Sequence, residues 1–377
     1  MNLAFTDEQN ELRRMVHDFL DETSPETEVR RLTETPQGYD TDVWLRFAGE
    51  LGLAGLAIPE EYGGAGYGFV ELGIVLEEAG RTLFGAPLLS SVVLAASTLL
   101  ALGDKAANAD YLPAIAAGTT TATLAFAPPS ARLATDADAV QVTAARNAQG
   151  WTLTGAASYV LDGHTADLLL VLARTGAGLS VFAVDGAAPG VTRTPQQTVD
   201  QTRRQATIVL DAVGARLVGE EGQARAVLAG VFDLATVALG AEQVGGAAHV
   251  LEQAVEYAKI RVQFGRPIGA FQAIKHKLAD LHIIVESARS AAYHALWVAA
   301  ESPDELPEAA SLVGGCCGDA FVTTARENIQ VHGGIGFTWE HPAHLYFKRA
   351  HSSRLLFGTP AQHRQRLAGL VLAASTD

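Results

Sequence analysis

Apolar residues recur at helical spacing through the first third of the chain. In the stretch TDEQNELRRMVHDFLDE, Leu12, Val16 and Leu20 form one stripe, and Thr6 ahead of acidic residues is typical of a helix N-cap. The same spacing predicts helices in TDVWLRFAGELG, FVELGIVLEEAGRTL, SSVVLAASTLLALG and ADYLPAIAAG. We therefore predict an N-terminal helical domain over residues 1–120.

The spacing of apolar residues changes to every second position after residue 120. It predicts strands in TATLAFA, AVQVTAARN, GWTLTGAASYVL, ADLLLVLAR, LSVFAVDG and QATIVLDA, separated by turn signals such as NAQG and DGAAPG. No helical stretch of about 10 to 15 residues alternates with these strands, which favours a small antiparallel sheet over a dinucleotide-binding βαβ unit. Helical spacing then returns. The predicted class is α+β, with a middle β-domain over residues 121–222 and a C-terminal helical domain over residues 223–377.

The composition indicates a chain with much buried surface, since 48% of its 377 residues are hydrophobic and 18% are charged. The net charge of −15 argues against a nucleic-acid partner, because such proteins neutralise phosphates with basic patches. Cys316 and Cys317 are the only cysteines and are adjacent, so they cannot join distant segments, and we predict a cytoplasmic location. The apolar run 87–103 falls short of about 20 residues, so we predict a core helix there and no membrane span.

The C-terminal third contains a corner between two predicted helices, in YAKIRVQFGRPIGAFQAIKHKLADL. Gly265 and Pro267 end the first helix, and a second helix begins a few residues later. Arg261, Gln263 and Gln272 should cluster around this corner. A guanidinium, amides and free backbone donors suit an anionic or polar ligand, although such a corner on its own is also compatible with a capped helix end.

Two stretches together resemble the acyl-CoA dehydrogenase family: the corner just quoted, and ENIQVHGGIGFTWEHPAHLYFKRA further on. The helix–sheet–helix order and the loop IPEEYGGAG are similar to the family as well. The resemblance implies that FAD lies across a two-fold subunit interface, with its ring in one subunit's β-domain. The neighbouring subunit would hold the adenine and pyrophosphate half, through residues matching Arg261, Gln263, Phe264, Gln272, Gln330, Val331, Gly333 and Gly334. We call these eight residues the predicted FAD half-site.

The chemistry of the predicted FAD half-site suits that role. Gly333 and Gly334 allow the backbone to approach adenosine closely, because neither carries a Cβ. Arg261 offers a permanent positive charge to the pyrophosphate.

The resemblance also implies a catalytic carboxylate, which removes the α-proton of an acyl-CoA while the β-hydride passes to the flavin. The family places it in one of two motifs. In a Glu-Gly-Thr run, this chain has Phe357 at the Glu position. In a Glu-Arg pair on the long helix, ungapped counting gives Ala235 and Thr236. We therefore predict no catalytic base in this chain.

The segments that cradle the flavin ring in the family also differ here. Where relatives carry Thr-Glu-Pro, this chain reads AFAPPSARLATD, with Ala127 in place of the hydroxyl residue. Where relatives carry Gly-x-Lys-x-Trp-Ile-Thr-Asn, it reads GAASYVLDG, with Ala157 for Lys, Tyr159 for Trp, Leu161 for Thr and Asp162 for Asn. These changes remove polar partners from the ring.

One half of the family's flavin site is thus kept while the other half is altered, and this predicts the donor subunit of an α2β2 heteromer with a paralogous partner. The substrate would be an acyl-CoA, of which a steroid side-chain CoA thioester is one candidate, and an electron-transferring flavoprotein is a further candidate partner. One alternative is a homomeric flavoenzyme, a self-dimer or tetramer, in which Glu242 serves as a relocated base about two turns after Ala235. Another is a flavin-free scaffold, against which the retained Arg261 and Gln272 argue.

Histidines cluster in sequence around the double glycine, but at no spacing known for zinc. His332, His341, His344 and His351 are expected to cap helices or to line the adenosine site rather than to bind metal. We predict no metal site.

Overall fold

A computed structural model of the chain describes residues 5–126, 139–148 and 150–374. The chain folds into two compact units. One, the helical unit, comprises residues 1–30, 73–84 and 236–377, and the other, the sheet-containing unit, comprises residues 31–72 and 85–235. The predicted domain boundaries fall between elements, since a helix ends at Ala116 before a strand begins at Ala122 and a strand ends at Val218 before a helix begins at Ala224. The division into three domains itself stays a prediction.

The helices predicted from the apolar spacing are present. The α-helices are α1 (Asp7–Thr23), α2 (Glu26–Thr33), α3 (Thr41–Leu45), α4 (Phe69–Arg81), α5 (Ser97–Leu102), α6 (Lys105–Ala116), α7 (Ala224–Ile260), α8 (Gln272–Glu301), α9 (Leu306–His332), α10 (Ala343–Ser353) and α11 (Pro360–Ala374). Two π-helical stretches, Arg46–Glu50 and Leu88–Ala96, adjoin α3 and α5. At the start of α1 the Thr6 hydroxyl accepts from the Gln9 backbone N–H, and the Gln9 side chain accepts from the Thr6 N–H, which confirms the predicted cap.

The predicted strands form one mixed sheet. They are β1 (Ala122–Ala125), β2 (Thr143–Asn147), β3 (Gly150–Leu161), β4 (Leu168–Arg174), β5 (Leu179–Asp185), β6 (Val191–Pro195) and β7 (Gln205–Val218). The strand order is β1-β4-β2-β3-β7-β5, with β6 beside β7 and a further β4–β5 pairing that closes a ring. A cluster of buried apolar side chains, among them Val171, Phe182 and Ile208, fills the sheet's core. The α+β prediction is confirmed.

The prediction of a purely antiparallel sheet was wrong for β1. This strand pairs with β4 in the parallel direction, Ala122 opposite Leu168, and β2 meets β4 in parallel at Thr143 and Arg174. An alternating pattern shows which face of a strand is buried, but not the direction of the strand beside it. The prediction also missed β6.

Close helix packing defines the core of the helical unit. A Cβ built on Gly245 of α7 would lie 1.8 Å from the Glu77 carbonyl oxygen of α4. A Cβ on Gly246 would lie 2.5 Å from the Phe321 ring of α9. Both glycines are therefore needed for α4 and α9 to approach α7 at these distances.

Helix α7 is the one helix of the described residues that is long and apolar enough to cross a membrane by length and composition. Of its most apolar window, 67% is buried within the protein. Core helices pass the same test, and the predicted absence of a membrane span stays a prediction.

Candidate functional site

A tight hairpin connects α7 to α8 at the predicted corner. Strands β8 (Val262–Gln263) and β9 (Arg266–Pro267) pair across Phe264 and Gly265, whose φ angles are 53° and 78°. Positive φ at both central residues is the signature of a type I′ turn, in which glycine is favoured and phenylalanine is strained. Phe264 is 90% exposed at the tip. The predicted helix break is confirmed, and it projects a large ring away from the unit.

The polar side chains of the corner are exposed. Within the part of the chain that the structure describes, the Arg261 guanidinium makes no hydrogen bond or ion pair, and Gln263 is exposed beside it. Gln272 makes only a long contact, 3.4 Å from its Nε2 to His276 Nε2. By contrast, the Arg266 guanidinium lies 4.2 Å from the centre of the Phe271 ring. Of these two arginines, Arg261, which the resemblance assigns to FAD, is the one without a side-chain partner among the described residues.

The double glycine ends α9 and opens a short 3₁₀ turn, Gly333–Phe337. Gly333 has φ 65° and ψ −140°, a conformation that is open almost only to glycine. A Cβ built on Gly333 or Gly334 would meet no atom within 4 Å. Gln330, in the last turn of α9, is exposed. The backbone of this turn is thus accessible, as close approach of a ligand requires.

A small apolar cluster joins the turn to the corner. Val331 is 7% exposed and packs with Ala254 and Ala258 of α7, and Ile268 and Ile274 of the corner pack against the same cluster. The structure therefore brings both parts of the predicted FAD half-site together within the helical unit. Its eight members divide into seven exposed residues and Val331, whose side chain lies in the core beneath them.

The two positions that the resemblance assigns to the catalytic carboxylate are apolar and buried. Phe357 is 7% exposed and has φ 55°, and Ala235 on α7 is fully buried. Positive φ at a phenylalanine is strained, and this side chain has no atom that can accept a proton.

Glu242, the alternative base, is held by an arginine that the sequence analysis did not single out. Its Oε1 lies 2.9 Å from Nη1 of Arg349, and the two side chains are 7% and 2% exposed. A carboxylate that is paired with a buried guanidinium is already engaged by that partner. One feature of the sequence could have indicated a buried role for Arg349: it is a charged residue on the apolar face of α10, between Tyr346 and Ala350.

Polar groups in the altered cradle segment bond within the sheet-containing unit. The Asp162 carboxylate accepts from the Ser90 hydroxyl at 2.6 Å, and the Leu161 carbonyl accepts from the Thr123 hydroxyl at 2.6 Å. Ala157 is buried, whereas Tyr159 is 49% exposed with φ 58°. The predicted change at Ala127 lies outside the described residues.

Two of the histidines near the double glycine, His332 and His341, contact each other. Among residues 5–126, 139–148 and 150–374, no group of three or more His, Cys, Asp or Glu side chains is placed to hold an ion. His341 Nδ1 accepts from the Ala343 N–H at the start of α10, which confirms the predicted capping role for that histidine. His332 stacks on Tyr257.

Comparison with known proteins places the chain in a family. Its residues 6–119 match the acyl-CoA dehydrogenase N-terminal domain, and residues 224–372 match the acyl-CoA dehydrogenase C-terminal domain. The chain is 36% identical over 361 residues to acyl-CoA dehydrogenase IpdE2 of Mycobacterium tuberculosis, with 96% of both proteins covered.

Two solved structures are similar along nearly their whole length. The ChsE4–ChsE5 complex from Mycobacterium tuberculosis matches with a TM-score of 0.89 and 30% identity, covering 99% of both chains. A variant of the Tcur3481–Tcur3483 steroid ACAD matches with a TM-score of 0.87 and 30% identity, covering 98% of this chain and 99% of the other. With both terminal domains matched and a relative at 36% identity over almost all of its length, this chain belongs to the acyl-CoA dehydrogenase family, whose cofactor is FAD.

Proposed function

We propose that this chain is one subunit of a heteromeric acyl-CoA dehydrogenase, α2β2, and that it holds the adenine and pyrophosphate half of a FAD whose ring lies in a paralogous partner. The observation that carries the proposal is a contrast between two sites. Exposed polar groups gather at the predicted FAD half-site, among them an Arg261 guanidinium with no partner in the described residues, while both family positions for the base hold buried apolar side chains, Phe357 and Ala235.

The residues of the half-site fit the part of FAD assigned to them. Arg261 would pair with the pyrophosphate, because its guanidinium is exposed and has no partner within the described residues. The amides of Gln263 and Gln272 would add donors and acceptors beside it. Gly333 and Gly334 leave the space of a Cβ empty, which suits contact between backbone and adenosine.

FAD, when bound, supplies the ring that accepts the hydride. This chain's own contribution is to bind and orient, since the exposed Phe264 would cover apolar surface of the partner. The proton of the acyl-CoA α-carbon would pass to a carboxylate of the partner subunit. In this chain the family's base position holds the phenyl ring of Phe357, which has no atom that can accept a proton.

The substrate is proposed to be an acyl-CoA, and a steroid side-chain CoA thioester is the favoured class. The similarity to a protein named a steroid ACAD supports this choice. The similarity to the ChsE4–ChsE5 complex supports assembly of two different chains. We further propose a cytoplasmic location and an electron-transferring flavoprotein as electron acceptor.

A homomeric enzyme that uses Glu242 as its base is the second candidate. The buried ion pair with Arg349 argues against it, because the carboxylate is already engaged. A flavin-free scaffold is disfavoured by the unpartnered Arg261 and the bare double glycine.

The test is the flavin spectrum of this chain purified alone and after co-expression with a paralogue encoded beside it. We expect a colourless chain alone, and one FAD per heterodimer that bleaches when an acyl-CoA is added. A yellow homomer with one FAD per chain would overturn the heteromer. A colourless complex, with full assembly, would overturn the role in FAD binding.

A further inference from the structure

Two histidines meet at the base of the loop that carries the double glycine. His332 is the last residue before Gly333, and His341 follows the loop after residues 333–340. Their ring centres lie 4.3 Å apart at an interplanar angle of 50°. The other face of His332 stacks on Tyr257 of α7, with centres 4.2 Å apart and planes at 28°. We call the His332–His341 pair the His clasp.

Hydrogen bonds fix the orientation of both clasp rings. His332 Nδ1 lies 2.9 Å from the Asn328 carbonyl oxygen, which only accepts, so Nδ1 carries the hydrogen. His341 Nδ1 lies 3.2 Å from the Ala343 N–H, which only donates, so the hydrogen of neutral His341 is on Nε2. Each ring is therefore tied to one of the helices that flank the loop, His332 to α9 and His341 to α10.

The loop folds back onto the clasp. A Cβ built on Gly336 would lie 2.9 Å from His332 Cβ and 2.9 Å from the Ile329 carbonyl oxygen. Gly336 is buried, whereas Gly333, Gly334 and Phe337 are exposed. His332 thus lies against α7 on one side, against His341 on another and beneath the loop.

We propose that His332 and His341 are positioning residues, which close the 333–340 loop at its base and hold the Gly333–Gly334 backbone in the conformation that receives the adenosine half of FAD. The part of this inference that concerns FAD rests on the proposed function, whereas the closure of the loop does not.

The clasp should open in acid. Burial lowers the pKa of His332, and burial together with the charge of His332 lowers the pKa of His341. The nearby charges add to this effect, because His344 and Arg30 both lower the pKa of His341. Burial, and after it the charge of Lys348, lowers the pKa of His344. Among the carboxylates, Glu26 is paired with Arg30, and Glu340 directly precedes His341 in the loop. Protonation would place two cations ring to ring, which separates them.

Hydrogen exchange of the full chain alone tests the clasp without any flavin. We expect His332→Ala to speed exchange of the amides of residues 333–340 by about tenfold, the size of one lost aromatic pair, with α7 and α8 unchanged. His332→Phe keeps a ring between Tyr257 and His341 and should stay within a few fold of the unmodified chain. His351→Ala, which removes an exposed imidazole on α10, is the matched control. Unchanged exchange in His332→Ala would overturn the proposal.

The link to FAD is tested in the co-expressed complex, by titrating the apoprotein with FAD at pH 7.5 and pH 5.5. We expect binding to weaken as the pH falls, and a smaller pH effect in the double variant His332→Phe with His341→Phe. If the double variant keeps the full pH effect, the clasp does not position the FAD site. If Arg261→Gln leaves FAD affinity unchanged in the same assay, the proposed function fails instead, and the exchange result still decides the clasp.

Discussion

Glu242 and Arg349 form an ion pair inside the helical unit, with 2.9 Å between Oε1 and Nη1 and almost no exposure of either side chain. They are 107 positions apart in sequence, on α7 and α10. The pair connects the long helix to the helix that leads to Phe357. The pair engages Glu242, the alternative candidate for the base, within the helical unit.

Glu242→Gln is expected to destabilise the chain by about 3 to 5 kcal/mol, because it removes the carboxylate that pairs with the buried Arg349 guanidinium. Urea unfolding monitored by circular dichroism measures the loss. Replacing both partners by apolar residues, Glu242→Leu with Arg349→Met, should cost less than the single change. Acyl-CoA-dependent bleaching in the assembled complex should persist in the double variant. Its disappearance from a folded, flavin-loaded complex would restore Glu242 as the base.

Arg261→Gln is expected to weaken FAD binding to the complex about 10- to 100-fold, because a charge-assisted contact to pyrophosphate is worth about 1.5 to 3 kcal/mol. Flavin fluorescence during titration of the apoprotein measures the affinity. Lys259→Gln is the control, since it removes the same charge two residues earlier, where Lys259 is paired with Glu256. Equal effects of the two substitutions would mean that only net charge matters.

Phe357→Glu places a carboxylate at the family's base position. We expect the change to cost about 2 to 4 kcal/mol of stability, because the side chain at this position is 7% exposed and the new carboxylate would be buried. Phe357→Leu, which stays apolar, should cost less. Neither variant should dehydrogenate an acyl-CoA when purified alone, since the partner's flavin ring is absent. An active Phe357→Glu homomer would contradict the donor-subunit proposal.

Stability should fall as the pH drops below about 6.5, in part through His249. Burial, and after it the charge of Arg81, lowers the pKa of His249 to about 4 in the folded chain. The unfolded chain binds the proton more tightly, so the stabilisation is complete above pH 6.5 and is lost on acidification towards pH 4, by about 3 kcal/mol. Urea unfolding at pH 7.5 and 4.5 measures the slope. His249→Phe should flatten it, and a slope unaffected by this substitution would assign the effect to other groups.

The sequence predicted those features of the site that depend on local backbone chemistry. Gly265 and Pro267 lie in the hairpin that follows α7, and the double glycine ends α9, because the required dihedral angles and missing donors are properties of single residues. Helical spacing alone does not predict the apolar cluster that joins Val331 to Ile268, because the cluster forms only when α7 and α9 are packed together.

Features that depend on tertiary contacts could not be predicted from local sequence patterns. The Arg349 partner of Glu242, the parallel pairing of β1 with β4, and the ring contact between His332 and His341 join residues whose separation in sequence carries no periodic signal. The histidines were expected to cap helices or to line the adenosine site, and only the capping by His341 is confirmed. The exposure and the positive φ angle of Phe264 could not be predicted either, since the only local indication was the glycine that follows it.

Alanine substitutions at the two adjacent glycines should affect folding and ligand binding separately. Gly333→Ala forces a Cβ into φ 65°, ψ −140° and should destabilise the chain alone by about 1 to 3 kcal/mol. Gly334 has no positive φ, and a Cβ there would meet nothing within 4 Å, so Gly334→Ala should leave the unfolding free energy of the chain within about 0.5 kcal/mol. In the complex, however, the same methyl group would stand where the adenosine half of FAD is proposed to approach. We therefore expect Gly334→Ala to preserve thermal stability of the chain and to weaken FAD binding to the complex, as measured by flavin titration. Unchanged FAD affinity in Gly334→Ala would show that this backbone does not contact the cofactor, because the substitution adds bulk only on the open side of the turn.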